Sequence, residues 1–269
     1  QKSLDSNTLF TCLHGTSKHI MTSVTDAKDV KEIKLNHQAS WASTVYWVIC
    51  LELNDYDVSK RDALMQILKT KNIDSKFVEG LRVTDIETVK VVEDVLANEI
   101  NTEIVKSIND SGGNAIGLSG NINRLISATQ LKIEIKDSDS NIEKIVDIGF
   151  VGQPTNVNID LINAHIQAGK IPVIAPLGVD DNENSYNINA DTAAGYIAGK
   201  LRASKLLLLT DVAGVLDKDK NLISSLTLDD AIKITSEEFI VGGMKPKITT
   251  CIEAMKNGVN KSTILDGRI

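Results

Sequence analysis

From Asp85 onward, short apolar runs alternate with stretches of helical period, and few chain designs are compatible with that alternation. Ile86, Val89, Val92, Leu96, Ile100, Ile104, Val105 and Ile108 recur at helical spacing, as one bent helix or two, and Gly112 and Gly113 stop the run. Residues 114–118 then read as a buried strand, 131–135 as a half-exposed strand and 145–151 as another. A helix over 160–168 ends at Gly169, and an apolar strand over 171–175 ends at Pro176. Residues 190–201 form a helix of small residues suited to close packing on a sheet. The most apolar strand, 205–209, follows, then a helix over 247–256 and a last strand over 262–265. Such an order predicts an α/β fold, a three-layer α/β/α sandwich around a mostly parallel sheet. In sheets of this kind ligands sit at the carboxyl ends of the strands.

The first 75 residues have weaker patterning. Residues 9–13 and 44–51 read as strands and 63–68 as a helix, and 34–43 have no clean period. With 269 residues, 42% of them hydrophobic, there is enough apolar material for one large domain or two lobes sharing a sheet. The net charge of −7 argues against nucleic acid as a partner, because phosphate backbones select basic surfaces. Cys12, Cys50 and Cys251 are far apart and lack metal-ligand spacing, so no metal site is expected and three reduced thiols are. No apolar run is long enough to span a bilayer, and residues 1–13 lack the basic-then-apolar pattern of a secretory signal, so a cytoplasmic location is expected.

Four segments carry candidate chemistry. Residues 186–194, Tyr-Asn-Ile-Asn-Ala-Asp-Thr-Ala-Ala, place Asn187, Asn189 and Asp191 where a turn becomes a helix; plain helix capping explains such residues as well as substrate binding does. Residues 206–217 run from a buried strand into a polar turn with Thr210, Asp211 and Gly214, suited to a nucleotide or to an ordinary turn. Residues 242–247, Gly-Gly-Met-Lys-Pro-Lys, can set an ammonium against phosphate, or form an exposed basic turn. Arg82, in the segment 80–85, can hold a carboxylate through a bidentate pair, or lie on the surface. A shorter turn, Gly117-Leu118-Ser119-Gly120, follows a strand and is expected to leave backbone N–H groups free.

Taken in this order, and together with 77–85, 140–144, 149–152 and 264–268, these segments resemble the acetylglutamate kinases of the amino-acid-kinase family over roughly 72–269. The resemblance implies phosphoryl transfer from ATP, with Mg²⁺, to the γ-carboxylate of N-acetyl-L-glutamate in arginine biosynthesis. It implies that Arg82 and Asn187 bind acetylglutamate, that Asp191 orients the catalytic lysines, that Lys247 sits on the transferring phosphoryl group, and that Thr210, Asp211 and Gly214 lie against the nucleotide. It divides the chain into an acetylglutamate-binding lobe, 1–178, with 1–71 atypical, and an ATP-binding lobe, 179–269, cut short of the family's final strand region. It also implies a homodimer or higher homo-oligomer. His165 is expected on the surface of its helix, not as a base.

The sequence departs from the family pattern near its start. The two glycine-rich phosphate loops expected after the first and second strands are absent. The nearest candidates are 14–21, with His14, one glycine (Gly15) and a displaced Lys18, and the stretch from 47 on, which has Asp55 and Asp57 but no glycine. Asn121 stands where the family usually has lysine, and Lys245 where it has an apolar residue. These departures leave two further readings. One is a homologue that binds acetylglutamate or arginine without turnover; the other is a sibling kinase acting on another carboxylate or on carbamate.

Overall fold

A computed structural model describes residues 8–12, 47–51, 70, 77–78, 81–136, 143–210, 212–240 and 242–267. The expected helix over 63–68 and the segments 14–21 and 34–43 lie outside the described residues. In chain order the strands are β1 (Thr8–Cys12), β2 (Trp47–Leu51), β3 (Phe77–Val78), β4 (Leu81–Arg82), β5 (Ala115–Ser119), β6 (Ile126–Lys136), β7 (Glu143–Val157), β8 (Ile171–Ala175), β9 (Leu177–Val179), β10 (Ser185–Ile188), β11 (Lys205–Thr210) and β12 (Lys261–Asp266). The helices are α1 (Ile86–Glu93), α2 (Asn101–Asp110), α3 (Ile159–Gln167), α4 (Ala190–Leu201), α5 (Leu228–Ile234) and α6 (Met244–Lys256). A π-helical stretch, Asp94–Ile100, joins α1 to α2, so the predicted long helix is one run with a wider middle.

Six strands form one sheet in the order β12-β11-β2-β1-β8-β5, and every pairing in it is parallel. β8 explains why: all five of its residues are buried, which requires cover on both faces. Ile171 and Val173 meet Ile104 and Ile108 of α2 on one face. Ile174 joins Ile162 and Ile166 of α3 and Ile197 of α4 on the other. Helix, sheet and helix therefore stack as three layers, as the alternation predicts. β1 and β2 hold the two middle places, so the chain leaves them, after Cys12 and Leu51, at the carboxyl edge of the sheet.

A second unit was less legible. β6 and β7 run well beyond the expected 131–135 and 145–151, pair antiparallel with irregularities at Ser127/Ala128 and Gln130/Lys132, and close a small barrel in the order β10-β7-β6-β9. β9 and β10 flank a turn in which Asp180 accepts from the backbone N–H groups of Asn182 and Asn184. Hydrogen bonds from Asn184 and Tyr186 offset the burial of the Asp180 carboxyl and hold it below the usual carboxylate range. Helix α6 starts three residues earlier than expected, because Pro246 is accommodated in the first turn, where its missing N–H costs nothing. Helix α5, capped by Thr227, had no apolar period long enough to announce it.

Candidate active site

Helix α4 begins where β10 ends. Asn189 caps it, its Oδ1 accepting from Thr192 N at 3.0 Å and from Thr192 Oγ1 at 3.2 Å. The capping reading of this asparagine therefore holds. Asp191 falls in the first turn, where the helix dipole favours an anion, and is only 5% exposed. Lys247, on the first turn of α6, is 3% exposed and donates from Nζ to Asp191 Oδ2 at 2.9 Å. By contrast, the ion pairs Lys106–Asp110 and Lys256–Glu253 lie in solvent. Lys245 is exposed, unlike Lys247 two residues on.

A buried pair of this kind is costly to assemble and poor as a stabiliser, because both ions give up hydration. It is well suited to chemistry: the carboxylate fixes the position of the ammonium. Cys251, one turn beyond Lys247, is near enough to feel it. Burial, and then the Asp191 charge, push the Cys251 thiol up to about 12.

Thr210, Gly214 and the end of β12 form a second group. Thr210 is buried and pairs with Asp266 across β11 and β12, and its carbonyl accepts from Gly267 N at 2.8 Å. Gly214 is buried at φ +136°, a conformation that favours glycine, and a Cβ there would stand 3.0 Å from Leu222 Cδ1. The hairpin it opens closes through Ile223 N to Val215 O at 2.9 Å. Val215 in turn packs on Ile248 and Ile252 of α6. Asp211 lies outside the described residues.

Arg82 and Asn187 flank β7. Arg82 is half-buried, and that burial lowers its guanidinium pKa without threatening its charge. Thr84 Oγ1 donates to Arg82 O at 2.9 Å, and Thr84 forms a parallel bridge with Gly149 of β7. Two residues along β7, Val151 pairs with Asn187 of β10, which leads directly into Asn189 and Asp191. The structure thus joins Lys247 to Asp191 directly and Thr210 to Gly214 through the β11–β12 end. It ties Arg82 and Asn187 together through the strand between them.

One expectation is corrected. The Gly120 N–H is not free: it donates to Ala175 O at 3.1 Å. Sequence reasoning also left Asn121 without a role. Its Nδ2 donates to Glu93 Oε1 at 2.7 Å and Ser185 Oγ at 3.0 Å, and its Oδ1 accepts from Ser119 Oγ. The amide therefore clasps the end of α1 to β10, a role its place after a Gly-Leu-Ser-Gly turn does not signal. A cavity of about 340 Å³, lined by Glu93, Asn98, Asn101, Ser119 and Leu125 among others, lies beside the π-helical stretch; it reaches the 117–119 segment but not Arg82, Asn187, Asp191, Thr210, Gly214 or Lys247. His165 is half-buried on α3. Among the described residues, no group of three or more His, Cys, Asp and Glu could hold a metal ion, and no helix is long and apolar enough to cross a membrane.

The chain is similar to known proteins over most of its length. The sequence pattern of the amino acid kinase family matches residues 59–266. The chain is 52% identical over 204 residues to an acetylglutamate kinase of Rhodospirillum centenum, covering 76% of this chain and 67% of that protein. It is 51% identical over 204 residues to an acetylglutamate kinase of Solidesulfovibrio magneticus, covering 76% and 68%. Among solved structures, smu.665 from Streptococcus mutans UA159 superposes with a TM-score of 0.72 at 22% identity, covering 97% of this chain and 95% of that one. N-acetylglutamate synthase from Neisseria gonorrhoeae, complexed with coenzyme A and N-acetyl-glutamate, superposes with a TM-score of 0.70 at 19% identity, covering 98% of this chain and 55% of that one. At those identities the likeness is one of fold.

Proposed function

The chain belongs to the amino acid kinase family, and from that premise we propose that it is an acetylglutamate kinase, transferring the γ-phosphoryl group of ATP to the γ-carboxylate of N-acetyl-L-glutamate. The observation that carries the reading is the buried Lys247–Asp191 pair at the first turns of two helices. The half-identical relatives, themselves acetylglutamate kinases, support the choice of acceptor.

The acceptor carboxylate is already ionised near neutral pH, so the reaction needs no general base. Negative charge spreads over the phosphoryl oxygens in the transition state, and catalysis is positioning plus electrostatic stabilisation. Lys247 supplies the ammonium, and Asp191 keeps it aimed. Helices α4 and α6 start at the same end, adding two positive dipole ends beside the pair. Arg82 and Asn187 hold acetylglutamate, and Thr210, Asp211 and Gly214 lie against the nucleotide. Mg²⁺ arrives with ATP as its counter-ion, held by the phosphates.

The sheet supports a division of labour, with the acceptor bound mainly by 1–178, Asn187 reaching it from β10, and ATP bound by 179–269: β11 and β12 form one flank and β5 and β8 the other. In sequence, the stretches that follow β1 and β2 carry Lys18, Asp55 and Asp57 in place of glycine-rich runs. Turnover is therefore expected to be slow, since one lost oxyanion donor costs about 10²- to 10³-fold. A cytoplasmic homodimer belongs to the same reading. Trapping the acyl phosphate with hydroxylamine tests it, across acetylglutamate, glutamate, aspartate and carbamate. Product with acetylglutamate alone is expected; equal product with another acceptor would displace the assignment.

A further inference from the structure

Asp191, Gly195 and Gly199 succeed one another at intervals of four along a single face of α4. That face meets α6 and its C-cap at three points. Asp191 receives Lys247. A Cβ built on Gly195 would stand 2.5 Å from Thr250 Cγ2, and one on Gly199 would stand 2.8 Å from Asn257 Cβ. Neither approach leaves room for a methyl group. Thr250 is branched at Cβ and has few rotamers open to it in a helix. Asn257 Cβ is fixed to the backbone and cannot swing aside. At both positions beyond the ion pair, then, the approach leaves no room for a side chain on α4.

Such closeness has a consequence for Lys247. Aspartate has a short side chain, so its reach toward α6 is set by the distance between the helices. Adding a methyl at Gly195, one turn from Asp191, would wedge α6 outward just where Lys247 must stay aligned. A displacement of about 1 Å at a reacting centre can cost on the order of 10²-fold in rate.

We propose that Gly195 and Gly199 are positioning residues for phosphoryl transfer: the side chains they lack set the α4–α6 spacing that holds the Lys247 ammonium on Asp191. The proposal rests on the role assigned to Lys247 above. A glycine that served packing alone would, when replaced, lower the melting temperature and leave kcat per folded molecule unchanged.

The test uses the full chain with four variants, G195A, G199A, T250A and G195A/T250A. It measures kcat, KM for acetylglutamate, and peptide-resolved alkylation of Cys251, whose thiol lies one turn past Lys247 on the displaced helix. G195A is expected to lower kcat about tenfold or more while KM changes by less than about twofold, with faster Cys251 alkylation. G199A is expected to act in the same direction. T250A removes the opposing methyl, so G195A/T250A should return to the values of T250A alone. An unchanged kcat in folded G195A, or a double variant no better than G195A, overturns the proposal. Should G195A not fold, G199A, at the second close approach, must show the loss of kcat on its own; normal turnover in folded G199A overturns the proposal equally. An inactive wild type would defeat the kinase assignment, whereas unaltered Cys251 alkylation in G195A would defeat the spacing argument alone.

Discussion

Gly149 lies so close to Thr84 that a Cβ on it would stand 2.1 Å from the Thr84 carbonyl oxygen. Phe150 N donates to that same oxygen at 2.6 Å, and Thr84 N donates to Ile148 O at 2.9 Å. This contact moors the segment that carries Arg82 to the barrel. Gly149 also has φ +74°, so alanine there is strained as well as obstructed. G149A is expected to destabilise the fold by at least about 2 kcal/mol and to raise KM for acetylglutamate more than it lowers kcat. Denaturant titration and steady-state kinetics check the two halves.

Arg82 is predicted to act through its forked guanidinium. Lysine keeps the charge and loses the second hydrogen bond to a carboxylate. R82K should raise KM for acetylglutamate roughly tenfold or more, from about 1.5–3 kcal/mol per charged hydrogen bond, with KM for ATP little changed. Equal effects on both substrates would place Arg82 elsewhere in the reaction.

Asp85 follows Arg82 by three residues and caps α1, its Oδ1 accepting from Thr88 N at 2.7 Å. The hydrogen bonds from Thr88 hold its carboxyl below the usual range. A depressed carboxyl contributes stability above the ordinary value of 3.8 and loses it as pH falls through the folded value. D85A should therefore cost about 1 kcal/mol at pH 7, and its deficit against the wild type should shrink below pH 3.8. Unfolding curves at pH 7 and pH 3 decide this.

Cys251 should be an inert thiol. With its pKa near 12 rather than 9, its thiolate fraction at pH 8 is on the order of 10³-fold below that of an ordinary cysteine. Mass-spectrometric mapping after brief alkylation at pH 8 should find Cys251 unmodified in the native protein and modified after denaturation.

The sequence revealed elements wherever one period ran uninterrupted. Helix α4 and strand β8 lie where their residues predict, since small residues on a buried helix and five apolar residues in a row each admit few alternatives. The barrel was only partly legible. In β7, Gly149, Gly152 and Pro154 interrupt the alternation that identifies a strand, and those interruptions are what bend it into closure. Within the site, only the family resemblance links Lys247 to Asp191. Fifty-six residues separate them, and no local pattern signals a partner at that distance. Gly195 was hidden for a related reason: a glycine in a helix of alanines looks like one more small residue until the opposing Thr250 is known.

The most direct test removes the ammonium and keeps the fold. K247M, close in length to lysine and uncharged, should bind acetylglutamate with little change by calorimetry while single-turnover acyl-phosphate formation falls by about 10³-fold or more. Companion D191N should lose rate as well, by mis-aiming Lys247. If K247M forms acetylglutamyl phosphate as fast as the wild type, Lys247 does not carry the transferring group, and the account built on its pairing with Asp191 is wrong.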